Sequence, residues 1–152
     1  MAFNIHLDVP DAPGESKKKP KQIEVISWKW GMQKSGDASM SASTAGRVDV
    51  HDVEVLKYID NSSGYLMKFC CSGTPLPEVT LSMDKANDKT LEFVKLVLKR
   101  CVVSGLETGG ESIGERLTET VKLRFGAFAF TYVGQGENDA SADFEYDIEA
   151  GP

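Results

Sequence analysis

The chain has 152 residues, of which 41% are hydrophobic, 26% charged and 9% aromatic, the size and composition of one soluble globular domain. No apolar run approaches the roughly 20 residues of a membrane helix, and Met1–Asp8 lacks the basic and continuous apolar stretches of a secretory signal, which predicts neither membrane insertion nor Sec export. Seventeen Lys+Arg stand against 23 Asp+Glu, a formal charge of -6. The acids Glu137, Asp139, Asp143, Glu145, Asp147 and Glu149 all follow Val133, where no Lys or Arg occurs. Residues 1–133 are therefore balanced and read as a single domain, and 134–152 reads as an acidic tail. Without a basic face, nucleic acid is not an expected partner.

Phe3, Ile5, Leu7 and Val9 alternate with Asn4, His6 and Asp8, the period of a strand with one wet face. Residues 11–21 hold Pro13, Gly14, Pro20 and the run Lys17-Lys18-Lys19, which predicts a long, exposed, solvated connection. Between Ile23 and Met32 the apolar phase changes, with Ile23 and Val25 followed by Ile26, Trp28, Trp30 and Met32, so a bulged strand is expected. Residues 35–46 are Ser-, Ala- and Gly-rich, too polar for a core and too long for a tight turn. Val48 and Val50 give way to Val53 and Val55 on the opposite phase, placing a second bulge near His51 and Asp52 in a strand ending at Tyr58.

Asp60-Asn61-Ser62-Ser63 offers a helix cap ahead of Tyr65, Leu66, Phe69 and Cys70, and Gly73 offers a stop. The acceptor pattern Asn61-Ser62-Ser63 needs no reading beyond that capping role. Val79, Leu81 and Met83 alternate before the turn at Asn87-Asp88, which predicts a hairpin. Residues 91–106 suit either helix or strand by spacing, and Phe93, Val97, Val102 and Val103 favour strand. A loop is expected over 105–114. Leu117 to Phe125 and Phe128 to Tyr132 alternate on either side of Gly126, a bend between two strands. Seven or eight strands and one helix predict a mainly β fold, two antiparallel sheets forming a sandwich or partly closed barrel with one flanking helix. The strands around Ile26 and Val97 look apolar on both faces, so their outer faces are expected to meet the helix or another subunit.

Motifs of catalysis are missing: no P-loop, HExxH, GxSxG or paired CxxC occurs. His6 and His51 could act as bases, yet no nucleophile is placed beside them by a recognisable pattern, and no enzyme activity or cofactor is expected. Cys70, Cys71 and Cys101 are odd in number and read as reduced core thiols, without metal-ligand spacing to either histidine. Trp28 and Trp30 on alternate positions read as core or interface. A monomeric carrier of a small ligand, its pocket lined by Trp28, Trp30, Phe128 and Phe130, is the alternative.

Ile23-Glu24-Val25-Ile26-Ser27-Trp28-Lys29-Trp30-Gly31, Leu56-Lys57-Tyr58-Ile59-Asp60-Asn61-Ser62-Ser63, Cys71-Ser72-Gly73 and Thr108-Gly109-Gly110 before Leu117-Thr118-Glu119-Thr120-Val121, in this order, resemble the haemolysin-coregulated protein (Hcp) family of bacterial type VI secretion. The resemblance runs from Phe3 to about Val133. It implies a β-barrel subunit of a homo-hexameric ring, with ring-on-ring stacking into a hollow tube that carries secreted effectors in its lumen. A surrounding sheath and a spike protein at the tip are the other implied partners. It also implies assembly in the bacterial cytoplasm and export through the machine itself without a signal peptide. The loop 35–47, with Asp37, Ser39, Met40, Ser41, Ser43, Thr44 and Arg47, matches the family's extended loop that contacts the next ring. Gly64 stands where many members have Pro, which weakens the helix start. The tail beyond Val133 is too short to be a fused toxin domain.

Overall fold

The structure, a computed structural model, describes residues 3–34, 48–85, 92–114, 116–134 and 141–151. Among them are ten strands, β1 (Phe3–Asp8), β2 (Ile23–Lys29), β3 (Met32–Lys34), β4 (Val48–Val50), β5 (Val53–Tyr58), β6 (Leu76–Lys85), β7 (Glu92–Gly109), β8 (Thr118–Arg124), β9 (Ala127–Tyr132) and β10 (Ala142–Asp147), with one helix, α1 (Ser63–Ser72). The mainly β expectation holds. The main sheet runs β10-β9-β7-β6-β1-β2-β5-β8, and β8 returns to pair with β7, closing six strands into a barrel. β9 and β10 continue from the first half of β7 as a flap outside the closed ring of strands. β3 and β4 form a separate two-stranded ribbon.

Long β7 makes both closure and flap possible. Its residues 94–99 lie between β6 and β9, and its residues 102–109 pair with β8. The change of partner falls at Arg100, whose φ of 51° bends the strand, opposite Gly126, whose N–H reaches the carbonyls of Lys99 and Arg100. Gly126 is thus the bend the sequence indicates. The β2 bulge lies between Val25 and Ser27, where the phase change placed it. β2 nevertheless ends at Lys29 and the chain restarts as β3, so the single strand expected over residues 23–32 is two elements. His51 and Asp52 likewise separate β4 from β5. The segment 91–106 is strand, and it runs on to Gly109 through residues expected as loop, because residues 105–109 find ladder partners in β8.

The barrel interior is filled by Leu7, Ile23, Val53, Val55, Val79, Leu81, Leu96, Leu98, Val121 and Leu123, all fully buried. α1 connects β5 to β6, and since these strands are antiparallel by their place in the sheet, it lies across one barrel end with Leu66 and Phe69 turned inward. It also packs on β7. Gly73 stops the helix in the left-handed conformation, φ 67°, with its N–H on the Phe69 carbonyl. At the other end Ser62, within the expected capping segment, is the N-cap residue but makes no side-chain cap bond. Asp60 organises the entry: its Oδ1 accepts the Ser62 N–H at 2.9 Å, while its own N–H donates to Ser63 Oγ at 3.0 Å.

Two exposed segments of the sequence are structured. Residues 10–22 fold back as a compact loop, with Gly14 N–H donating to the Lys21 carbonyl and Ser16 N–H to the Gln22 carbonyl. A Cβ on Gly14 would stand 2.6 Å from the Gln22 carbonyl oxygen, so only glycine permits this neck. β10 belongs to the segment set apart as an acidic tail, and its six residues pair with β9 from Ala142↔Tyr132 to Asp147↔Ala127. Asp143, Glu145 and Asp147 take one face and Phe144 and Tyr146 the other, a period of two that the charge count conceals.

Candidate functional site

His6 is not on a wet face. It is 2% exposed, covered by the 10–22 loop, with Nε2 2.8 Å from Ser16 Oγ. Burial and the nearby Lys19 ammonium lower its pKa from the ordinary value. Lys18 and Lys19, expected in solvent, reach the buried Asp84 carboxylate at 3.5 and 3.8 Å, and Lys19 also meets Glu92 at 3.6 Å. His51 lies apart from this group on the turn into β5, beside Asp49 at 3.7 Å. Neither histidine faces an accessible hydroxyl or thiol among the described residues, since Ser16 is itself buried.

Inside the barrel a second polar cluster sits beneath α1. Lys57 continues the inward phase of Val53 and Val55, and Glu119 that of Val121 and Leu123, so their pairing in the β5–β8 register brings both charges into the core as an ion pair. Lys57 Nζ also meets Asp60 Oδ1 at 3.1 Å and donates to the Tyr58 carbonyl at 2.8 Å. Ser63 Oγ donates to Glu119 Oε2 at 2.5 Å. A buried pair so neutralised fixes the first turn of α1 to the barrel rim and leaves no acid or base open to a substrate.

The thiols differ from one another. Cys101 is buried, and desolvation pushes its pKa up to about 12. Cys70 is half-buried and Cys71 exposed, so Cys71 is not a core thiol as expected. All three are unpaired, and no group of three metal-ligating side chains forms among the described residues. Trp30 packs edge-on against Phe128 at 4.9 Å and Phe125 at 6.1 Å and donates its Nε1–H to the His51 carbonyl, and both tryptophans, half-buried, pack against the core. An open recess of about 470 Å³ is lined by Glu107, Thr108, Gly109, Glu111, Thr118 and Thr120, not by the aromatics a carrier would use.

Exposed apolar side chains stand on loops (Ile113, Leu117), on α1 (Tyr65, Met67) and on strand surfaces. Phe144, 56% exposed, stands on β10, whose outer edge has no partner among the described residues; Tyr132, Ile26 and Met32 are exposed on β9, β2 and β3. The loop residues Asp37, Ser39, Met40, Ser41, Ser43, Thr44 and Arg47, expected to contact the next ring, lie outside the described residues. No helix among those described is long and apolar enough to cross a membrane.

Among the described residues the barrel is closed, its interior is filled and a helix lies across one end. The family model for "Type VI secretion system effector, Hcp" matches residues 6–132. Protein hcp1 of Pseudomonas aeruginosa is 38% identical over 144 residues, covering 92% of this chain and 89% of that protein. The crystal structure of Hcp1 from Salmonella typhimurium is similar at a TM-score of 0.83 and 34% identity, over 99% of this chain and 98% of that one. A structure described as a type six secretion system protein has a TM-score of 0.88 at 22% identity, over 99% of both chains, a likeness of fold alone. The chain belongs to the Hcp family, the tube proteins of type VI secretion, which are structural and secreted and not enzymes.

Proposed function

We propose that this chain forms hexameric rings that stack into a hollow tube and carry effectors in the lumen. The observation that carries the reading is the open edge of β10 beside exposed Phe144. A strand edge left without partner invites pairing with another chain, and a ring needs such an unsatisfied surface on each subunit. The sheath, the spike protein and the effectors are the partners of that tube, which assembles in the cytoplasm and leaves through the secretion machine. Residues 1–133 supply the tube domain. The segment 134–152 adds β10 to it and leaves the acids of its outer face to solvent.

Asp37, Ser39, Met40, Ser41, Ser43, Thr44 and Arg47 are assigned to contact between rings. The native mass in solution tests the ring: about six chains supports it, and a monomer at every concentration removes it. If the loop acts between rings, deleting residues 37–47 leaves the ring mass unchanged and abolishes tubes seen by electron microscopy.

A further inference from the structure

The 10–22 loop lies over the outer face of β1 and β6, and its tip is held by groups that are almost entirely buried. Ser16, 6% exposed, places its hydroxyl 2.8 Å from His6 Nε2 and accepts the Lys19 N–H at 3.1 Å. Lys19 then crosses to β6, where its ammonium donates to Ser82 Oγ at 3.3 Å, and Ser82 is the direct neighbour of His6 in the β1–β6 register. Asp84 on β6, paired with Lys18 and Lys19, and Glu24 on β2, opposite His6, are the acids that face the ring; Glu92 on β7 engages Lys19 from its far side.

His6 Nδ1 has no hydrogen-bond partner. A neutral ring leaves at most one N–H unsatisfied there, but an imidazolium must donate from both nitrogens. It would place a second cation beside the Lys19 ammonium on a ring that is itself buried, a desolvation that costs more than the carboxylates return while both lysines already engage Asp84.

We propose that the loop is an acid-released latch, closed over β1 and β6 while His6 is neutral and opened at its tip, residues 15–19, when His6 takes a proton. Opening hydrates the imidazolium, frees Lys18 and Lys19 and uncovers Asp84. The neck holds at the Gly14 N–H bond to the Lys21 carbonyl, while the bonds that Ser16 and Lys19 make to the backbone of Gln22 belong to the tip and are given up when it opens. The pH window follows from the sign of the shift. Burial, then Lys19, lowers the His6 pKa in the closed loop below the ordinary 6.5 that it regains when open. Closure is therefore fully stabilised above 6.5 and loses that stability as the pH falls from there toward the closed-state value.

Amide hydrogen exchange on the full chain, corrected for the intrinsic pH dependence, reads the latch at the Lys19 N–H. The expected result is about a tenfold loss of protection there between about pH 8 and about pH 5, with the β6–β7 ladder unchanged. His6→Gln keeps a neutral hydrogen-bonding group and makes Lys19 protection independent of pH over that range. Unchanged protection in the wild-type chain overturns the proposal. So does a loss that persists in His6→Gln, since the titrating group is then not His6. Should His6→Gln not fold, the wild-type His6 ring followed by NMR decides: its titration coincides with loop opening or the latch is not the histidine's.

Discussion

At the scale of single residues, Lys57 and Glu119 show how a charge pair can be legible yet overlooked. The phase Val53, Val55, Lys57 and the phase Glu119, Val121, Leu123 place both charges inside, and that alternation was the available signal. Their surroundings make the pair asymmetric. Lys57 keeps Asp60 if Glu119 is lost, whereas Glu119 without Lys57 retains only the Ser63 hydroxyl. Lys57→Met therefore leaves a buried carboxylate without a cation and costs about 3–5 kcal/mol in urea unfolding. Glu119→Leu costs less, and the double variant recovers much of the loss; equal costs for the two single variants would contradict this asymmetry. The thiols yield a second expectation. With the native chain near neutral pH, Cys71 reacts first with a thiol reagent, while Cys101, buried and with its pKa near 12, reacts only on unfolding. Early labelling of Cys101, located by mass spectrometry, would refute it.

Elements were readable from the sequence where one face of a strand is wet and the other buried, and obscured where a neighbour changes that exposure. β1, the β2 bulge, α1 with its Gly73 stop, and the Gly126 bend follow from period and glycine placement. His6 alternates correctly as an outward residue, but outward does not mean wet once residues 10–22 cover the strand. That cover depends on the Gly14 neck and on Asp84, a contact across some 65 positions of sequence that periodicity does not encode. β10 was hidden differently: Ala142–Asp147 alternates, but its acids dominate any composition window. Its role is testable by truncation. Ending the chain at Gly134 strips the pairing from β9 and the cover of Phe144 and Tyr146 from Phe128, whose ring lies 6.0 and 6.1 Å from theirs. It also removes Asp147 and Glu149 from Arg100. The truncated chain should unfold at a lower urea midpoint and bind a hydrophobic dye that the full chain does not. An unchanged midpoint would make β10 dispensable to the fold and return 134–152 to the standing of an appendage.

On the scale of the whole molecule, the fold reserves its apolar interior for itself and offers partners its edges and outer faces. The barrel interior is filled by residues such as Leu7, Val55, Leu96 and Leu123, so the lumen of the proposed tube would lie between copies and not inside one barrel. Such assembly gathers like charges: each chain brings a formal -6, all of it from beyond Val133. In the ring proposed above, closure would oppose a repulsion that salt screens, with a screening length of about 30 Å at 0.01 M falling to about 8 Å at 0.15 M. In contrast to an assembly held by ion pairs between copies, this one should strengthen with salt. Native mass measured across a dilution series should show the ring persisting to lower protein concentration at the higher salt, and the dependence should flatten when Asp143 and Glu145, exposed on the outer face of β10, are both changed to asparagine and glutamine. If the ring instead dissociates as salt rises, attraction between unlike charges on neighbouring copies outweighs the repulsion. The acidic face of β10 would then be a docking surface for lysines of the next subunit.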